Sequence, residues 1–316
     1  TESSWGNDLT RSAEFYHTPA FDFAAMFDEL WRRFDGGISV SAVREYPPTL
    51  RYAKLPRRAD PLFGSANDRL EAFLDKHHRY QRDRLPRSYL FVGVPGTGKS
   101  SMAMAAAARM GGRVLRLEAK SLEIVGPEEM RFLLRFLAPN AFIIDDVDKI
   151  NFDDCLPTLL TVLEWVKVEH PEVAIIMTAN STSMHAALLR PGRVDEVVWF
   201  DVPTGEDRRA IIEGYLAAGE VEVPTADLDD IVAETAELSA AWLKEVALQL
   251  RYETPERVEQ IVADMHRLRK GDDPFAALEA APSVDVEEST SSVDQQSNGA
   301  DTGTTKSEVS TDVSAM

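Results

Sequence analysis

The sequence predicts an α/β fold: a parallel sheet with helices on both faces, followed by a small all-helical subdomain. Five short apolar runs carry the first part of that reading. "SYLFVGV", "RVLRLEA", "AFIIDD", "VAIIMTAN" and "EVVWFDVP" are of strand length and alternate with helical patterns. Strands buried on both sides by crossover helices show this near-continuous hydrophobicity. The second observation is a turn rich in Gly and Pro directly after the first run. The third is that strand patterns stop after Pro203, and helical ones follow alone.

Residues 1–55 form an N-terminal region with an amphipathic helix. In "FDFAAMFDELWRRF", Phe23, Phe27, Leu30 and Phe34 recur at helical spacing with Met26 and Trp31 alongside, and "DGG" ends the pattern. Such a face either folds back on the core or docks a partner or substrate. Residues 56–204 hold the alternating elements, with helices expected at Lys99–Met110, Pro127–Leu137, Cys155–His170 and, shorter, Met184–Leu189.

Residues 205–280 hold the helical subdomain, with helices expected at Glu206–Ala218, Ala226–Thr235, Ala240–Tyr252 and Pro255–Lys270. Leu243, Val246, Ala247 and Leu250 mark the buried stripe of the third, and Ser239 stands where an N-cap belongs. From 281 to 316 Ser, Thr, Asp and Gly dominate without an aromatic residue. This acidic tail has too little apolar surface to offset the cost of ordering and is expected to be disordered.

Composition narrows the function. The net charge of −19 opposes broad electrostatic binding to nucleic acid, although Pro282 to Met316, with seven acidic residues and one lysine, hold about a third of it. No apolar run approaches the ~20 residues that span a bilayer. The one cysteine, Cys155, can form no internal disulfide and reads as a packing residue, which fits a cytoplasmic protein.

The glycine-rich turn carries the chemistry. Gly93-Val94-Pro95-Gly96-Thr97-Gly98-Lys99-Ser100 matches the phosphate-binding pattern G-x-x-x-x-G-K-[ST], between an expected strand and helix, with Ser101 following. Glycines let the backbone turn its N–H groups inward on phosphate oxygens, and the helix N-terminus adds its positive end. Lys99 would reach the β- and γ-phosphates of ATP, and Ser100 would offer a hydroxyl to Mg²⁺. This is a P-loop.

Two further strand ends add to it. "AFIIDDVD" delivers Asp145 as a holder of Mg²⁺ and Asp146 as the group that orients or deprotonates the attacking water. "VAIIMTAN" delivers Asn180, either a hydrogen-bond donor to water or γ-phosphate or a simple turn residue. Last, "LLRPGRVD" places Arg190 and Arg193 on a Pro-Gly turn. There they either stabilise transition-state charge, in a neighbouring subunit's site, or pair with Asp195 or Glu196 on the surface.

In this order the motifs resemble those of the AAA+ ATPases, from about Pro61 to Arg251. "FVGVPGTGKSS" is similar to Walker A, "FIIDDVD" to Walker B, "TAN" to sensor 1 and "RPGRVD" to the arginine-finger turn. The resemblance implies an AAA+ large subdomain and a helical lid. It also implies Mg·ATP hydrolysis in a homo-oligomeric ring of roughly six or seven copies, with Arg190 and Arg193 completing the adjacent site. A protein client would be engaged through the N-terminal region or the central pore.

It further implies that Phe63 and Gly64, in "LFGSANDRLEAFL", lie near the base. "LSAAWLKEVAL" has alanine where a sensor-2 arginine would stand, so no such arginine is expected. Ile124 occupies the place of a pore aromatic in threading relatives, and is either a weak grip or a buried loop residue.

A narrower likeness joins "LEAFLDKHHRYQRDRLPRSYLFVGVPGTGKSS", "IIDDVD" and "LLRPGRVD". They resemble the AAA proteins of inner mitochondria that translocate the folded Rieske iron–sulfur subunit, and their soluble relatives. Asp146 stands where most AAA+ proteins carry glutamate, which implies slow turnover or a shifted water.

Two other functions fit the same architecture. One is a loader or motor on nucleic acid, with "RLRK" and Arg51 to Arg58 as its small basic runs. The other is a scaffold that ATP assembles with little turnover. A GTPase would need an Asn-Lys-x-Asp guanine motif, which is absent from the sequence. A small-molecule kinase would have no use for the arginine turn.

Overall fold

A computed structural model of the chain describes residues 23–34, 37–43, 49–54, 61–181 and 185–270. The first helix, α1 (Phe23–Arg33), precedes β1 (Gly37–Val43) and β2 (Thr49–Lys54). Helix α2 (Ser65–Arg82) leads into β3 (Ser88–Gly93) and α3 (Lys99–Arg109). Then come β4 (Val114–Glu118), α4 (Pro127–Leu137), β5 (Ala141–Asp145), α5 (Phe152–Glu169), β6 (Ala174–Ala179) and β7 (Glu196–Phe200). Helices α6 (Gly205–Ala217), α7 (Thr225–Glu234), α8 (Ala240–Gln249) and α9 (Pro255–Lys270) complete the described chain.

The strands form one sheet in the order β2-β1-β4-β5-β6-β3-β7, parallel throughout except for β2 at one edge. Alternation along each strand feeds two cores. Leu90, Val92, Phe142, Ile144, Ile175 and Met177 face α4 and α5. Tyr89, Phe91, Ala141, Ile143, Ala174 and Ile176 face α2 and α3. Burial on both faces is why the strand sequences lack a polar side. Helix α3 meets the sheet through Ala103, Ala106 and Ala107, all fully buried; their small side chains let its backbone lie close to β3 and β5, which fixes the loop before it.

The helical unit has a separate core. Ile212, Ile231, Leu243, Val246, Ala247 and Val258 are buried there together, and Leu250 joins them, as the stripe on α8 predicts. Ser239 does occupy the N-cap of α8, but its side chain makes no capping hydrogen bond.

Three differences from the sequence reading stand out. First, the sheet extends into residues 1–55. Strand β1 pairs parallel with β4, Ile38 and Val40 are buried, and β2 turns back antiparallel. The serines and alanine in "GISVSAV" weaken the apolar signal, so neither strand is evident from sequence. Second, α1 folds back on the core: Trp31 is buried, donates from Nε1 to Leu137 O at 2.9 Å, and Phe34 packs beside it. The side chains of Phe23, Phe27 and Leu30 lie outside the described ones.

Third, no short helix spans the described part of Met184–Leu189. Residues 186–189 form turns, and Met184 lies outside the described residues. So do residues 55–58 of the Arg51 to Arg58 run, the side chains of 51–54 and the whole 281–316 tail. Helix α5 starts at Phe152, three residues before Cys155, whose burial is complete.

One buried contact predicts a pH dependence. His77 of α2 is 3% exposed and its Nδ1 lies 3.0 Å from the Tyr89 hydroxyl. Burial, with a smaller push from His78, lowers its pKa from 6.5 to about 4. The fold therefore holds this imidazole neutral, and its stability is complete above the ordinary histidine pKa and declines as pH falls toward 4. A loss of about 2 kcal/mol is expected between pH ~7 and ~4. Urea denaturation across that interval, compared with His77→Gln, reads it; the variant should lack this part of the slope.

Candidate active site

Each piece of the phosphate loop is fixed by local backbone demands. Gly93 ends β3 where the carbonyl of Phe200 on β7 leaves no room for a Cβ. Gly96 and Gly98 take φ of 81° and 91°, the left-handed region that glycine enters without strain. Gly98 is the N-cap of α3, so the loop delivers its backbone to a helix N-terminus. Thr97 Oγ1 donates to Val94 O at 2.9 Å and closes the turn.

Gly96 has a second constraint. A Cβ there would come within 2.5 Å of Ser239 Oγ and 3.0 Å of Ala241 Cβ, and Gly96 O accepts from Ala241 N at 2.9 Å. The start of α8 therefore rests directly on the loop.

Lys99 is 6% exposed and folds back into the cradle, where Nζ donates to Gly93 O at 2.7 Å and Val94 O at 2.9 Å. Burial lowers its pKa, while Asp146 and Asp148 pull the other way. An ammonium held only by neutral carbonyls, beside N–H groups at a helix start, makes a site for an anion.

The two aspartates stand at the carboxyl edge of β5, where an open α/β sheet places its ligands. Asp145 is buried. Its Oδ1 accepts from Thr178 Oγ1 at 2.8 Å and from Ser100 Oγ at 3.3 Å, and its Oδ2 from Arg116 Nε at 2.5 Å. A hydroxyl and a carboxylate, both hard oxygen donors beside a phosphate cradle, suit Mg²⁺, which takes one or two such ligands and fills its remaining positions with phosphate oxygens and water. That fit rests on the Ser100–Asp145 contact.

Asp146 has φ 58° and ψ 47°, a left-handed conformation uncommon outside glycine, and its N–H donates to Thr178 Oγ1 at 3.1 Å. The turn swings its carboxylate into the cavity. There Oδ1 accepts from Asn180 Nδ2 at 3.1 Å and Oδ2 from Lys149 Nζ at 2.9 Å. Asn180 is aimed by its own N–H, which donates to Asp148 at 3.1 Å.

Lys99, Ser100, Asp146 and Asn180 share one cavity of about 570 Å³, lined by residues 95–102 among others; Asp145 reaches it only through its contact with Ser100. Away from the loop, Phe63, Pro203, Ile211 and Tyr215 give its walls apolar surface, beside the polar Asp207 and Lys244. The Phe63 ring meets Tyr215 edge-on, 5.0 Å between centroids. Gly64 (φ 57°) turns the chain so that Ser65 N donates to Asp207 Oδ1 at 2.9 Å, tying α2 to α6. The loop side matches a triphosphate and the apolar walls a base.

The arginine turn lies elsewhere. Neither Arg190 nor Arg193 lines this cavity. The Arg193 guanidinium is engaged by Glu164 (3.1 and 2.9 Å) and by Ala187 O (2.9 Å). The surface pairing expected with Asp195 or Glu196 is thus corrected. Asp195 pairs with Lys167 at 2.6 Å, Glu196 pairs with Lys76 at 2.8 Å, and Lys167 also donates to Gly192 O. Arg190 is exposed, with no side-chain partner among the described residues. Ile124 is half-buried at the end of a 3₁₀ turn, Ala119–Glu123.

Four residues escaped the sequence reading. Thr178 holds both aspartates, Arg116 neutralises Asp145, and Arg69 lines the cavity with its guanidinium 4.7 Å from the Phe200 ring centre. Lys244, one turn into α8, also lines it, with Nζ 5.6 Å from the Tyr215 ring centre. It stands one turn past Ala240 and Ala241, and that helical spacing was the available signal.

Comparison with known proteins agrees with this geometry. Residues 89–202 match the family described as ATPase family associated with various cellular activities (AAA). The chain is similar to ATP-dependent zinc metalloprotease FtsH 3 of Sphaerobacter thermophilus, 33% identical over 54% of this chain and 39% of the relative. It is similar to an AAA-ATPase of Arabidopsis thaliana, 28% identical over 58% of this chain and 41% of that one. ATPase family gene 2 protein of Schizosaccharomyces pombe is 30% identical over 52% of this chain and 23% of its own length. The chain thus spans about two fifths or less of these relatives. All three alignments exceed half of this chain, and within it residues 89–202 are an AAA ATPase domain.

Proposed function

We propose that the chain hydrolyses Mg·ATP in a homo-oligomeric AAA+ ring, using the energy to remodel or translocate a protein partner. The observation that carries this is the convergence of the Lys99 cradle, Ser100 with Asp145 bonded behind it, and the Asp146–Asn180 pair on one cavity whose walls also include Phe63 and Tyr215. In this reading the N–H groups from Gly93 to Ser101 and the Lys99 ammonium bind the phosphates. Phe63 and Gly64 border the adenine. Ser100 and Asp145 hold Mg²⁺, which supplies positive charge to the phosphate oxygens when bound. Asp146, kept in line by Asn180, orients the water and takes its proton.

The proposed machine has a nucleotide-binding unit of residues 56–204, with β1 and β2 added to its sheet, and a lid of residues 205–280. The relatives' names support ATP dependence. The metalloprotease activity in the name of the Sphaerobacter relative is said of that protein and is not part of the proposal. The likeness to relatives of the Rieske-subunit translocase supports a chaperone-like task on a protein client. Among the described residues no helix is long and apolar enough to cross a membrane. A cytoplasmic setting is part of the proposal.

Among the described residues the cations that line the cavity are Lys99, Arg69 and Lys244, and Lys149 is bonded to Asp146; neither arginine of the Pro-Gly turn is among them. Arg190, exposed and without a side-chain partner among the described residues, is the better candidate to reach a neighbour's site; Arg193, held by Glu164, positions the turn. The expected result is that Arg190→Ala binds ATP normally but turns over at least about 10³-fold more slowly. Mixing it with Lys99→Ala should restore part of the turnover, because each mutant supplies what the other's site lacks. ATPase assays on the two proteins, alone and mixed, decide it; normal turnover by Arg190→Ala alone would overturn the shared site.

A further inference from the structure

Asp145 is the most confined carboxylate of the site, with its side chain only 5% exposed. Both of its oxygens are engaged: Oδ1 by the hydroxyls of Thr178 and Ser100, Oδ2 by Arg116 Nε at 2.5 Å. Strand register explains how an arginine arrives there. On β4, Glu118 lies opposite Asp145, and Arg116, two residues earlier, shares its face of the sheet. The Arg116 side chain therefore runs along the sheet toward Asp145 and is one third exposed.

We propose that Arg116 is a resident counter-cation that shares Asp145 with the metal and so sets how much Mg²⁺ the site requires. The inference rests on the reading of Ser100 and Asp145 as the Mg²⁺ position. A carboxylate already paired to a guanidinium through Oδ2 has less charge to give a second cation held at Oδ1. Ser100 and Thr178 are neutral and leave that charge in place. Lys99 and Lys149 donate to other groups, the loop carbonyls and Asp146. Arg116 is thus the one cation bonded to Asp145 among the described residues.

A plain structural role, in which Arg116 only compensates a buried acid, makes a different prediction, so metal binding and thermal stability are measured together. The full chain is loaded with a non-hydrolysable ATP analogue, and Mn²⁺ binding is followed by loss of the free-ion paramagnetic signal. Arg116→Gln should lower the Mn²⁺ half-saturation concentration about tenfold, the lower end of what one neighbouring charge does to a carboxylate's hold on a proton. Arg116→Lys keeps the charge on a compact ammonium and should shift it by roughly two- to threefold; it decides the matter alone if the glutamine variant does not fold. Half-saturation that stays put or rises in the folded variants, even with lowered melting temperatures, overturns the proposal. Failure of the wild-type chain to bind the analogue would instead remove the nucleotide reading beneath it.

Discussion

Lys99→Ala should abolish ATP binding, with a loss of at least about 10²-fold, or roughly 3 kcal/mol. The ammonium is nearly buried and bonded only to Gly93 O and Val94 O, so it is positioned to meet an anion at little reorganisation cost. Alanine removes the charge and leaves two loop carbonyls facing the space the phosphates would take. Calorimetric titration with ATP and Mg²⁺ reads the loss directly. Thermal melting without nucleotide separates it from loss of fold: the variant should melt close to wild type, because the two core faces of the sheet do not include this side chain. Retention of wild-type affinity would mean that the cradle does not bind phosphate.

Asp146→Asn is the second large effect, and it separates binding from chemistry. The amide keeps the shape and a hydrogen-bonding oxygen for Asn180, but loses the negative charge that draws a proton from water. Turnover should drop by about 10²–10⁴-fold, the range of a general base, with ATP affinity within a few-fold of wild type. The Lys149 pair at 2.9 Å is lost as well, yet both partners are substantially exposed, so little stability goes with it. Single-turnover measurement with labelled ATP tests this, together with isolation of the protein client that the ATP-held form retains. A variant that still hydrolyses at the wild-type rate would move the general base away from Asp146.

The legible parts of the site are those whose chemistry is contiguous in sequence. The loop from Gly93 to Ser101 is one string with a strand before and a helix after, and each glycine answers a local backbone demand. Asp145 and Asp146 are legible because an apolar run of strand length ends in them. Arg116 is not, since "RVLRLEA" reads only as a short strand; the arginine's partner appears only once β4 and β5 are placed side by side in register. Arg193 and Glu164 are 29 residues apart on different elements, which is why the wrong acidic partners were expected. Strands β1 and β2 are hidden for another reason. Burial of Ile38 and Val40 against β4 is tertiary, and the small residues around them, Gly37, Ser39, Ser41 and Ala42, carry weak strand preference.

The bond between Gly96 O and Ala241 N has a mechanical consequence. It straps the phosphate loop to the first turn of α8, with Ser239 wedged against the same glycine. An anion that settles into the loop and shifts it by a fraction of an ångström must either tilt α8 like a lever or tear the strap. Because Leu243, Val246 and Ala247 lock α8 into the packing of the other lid helices, the tilt would be passed to all four as one rigid piece.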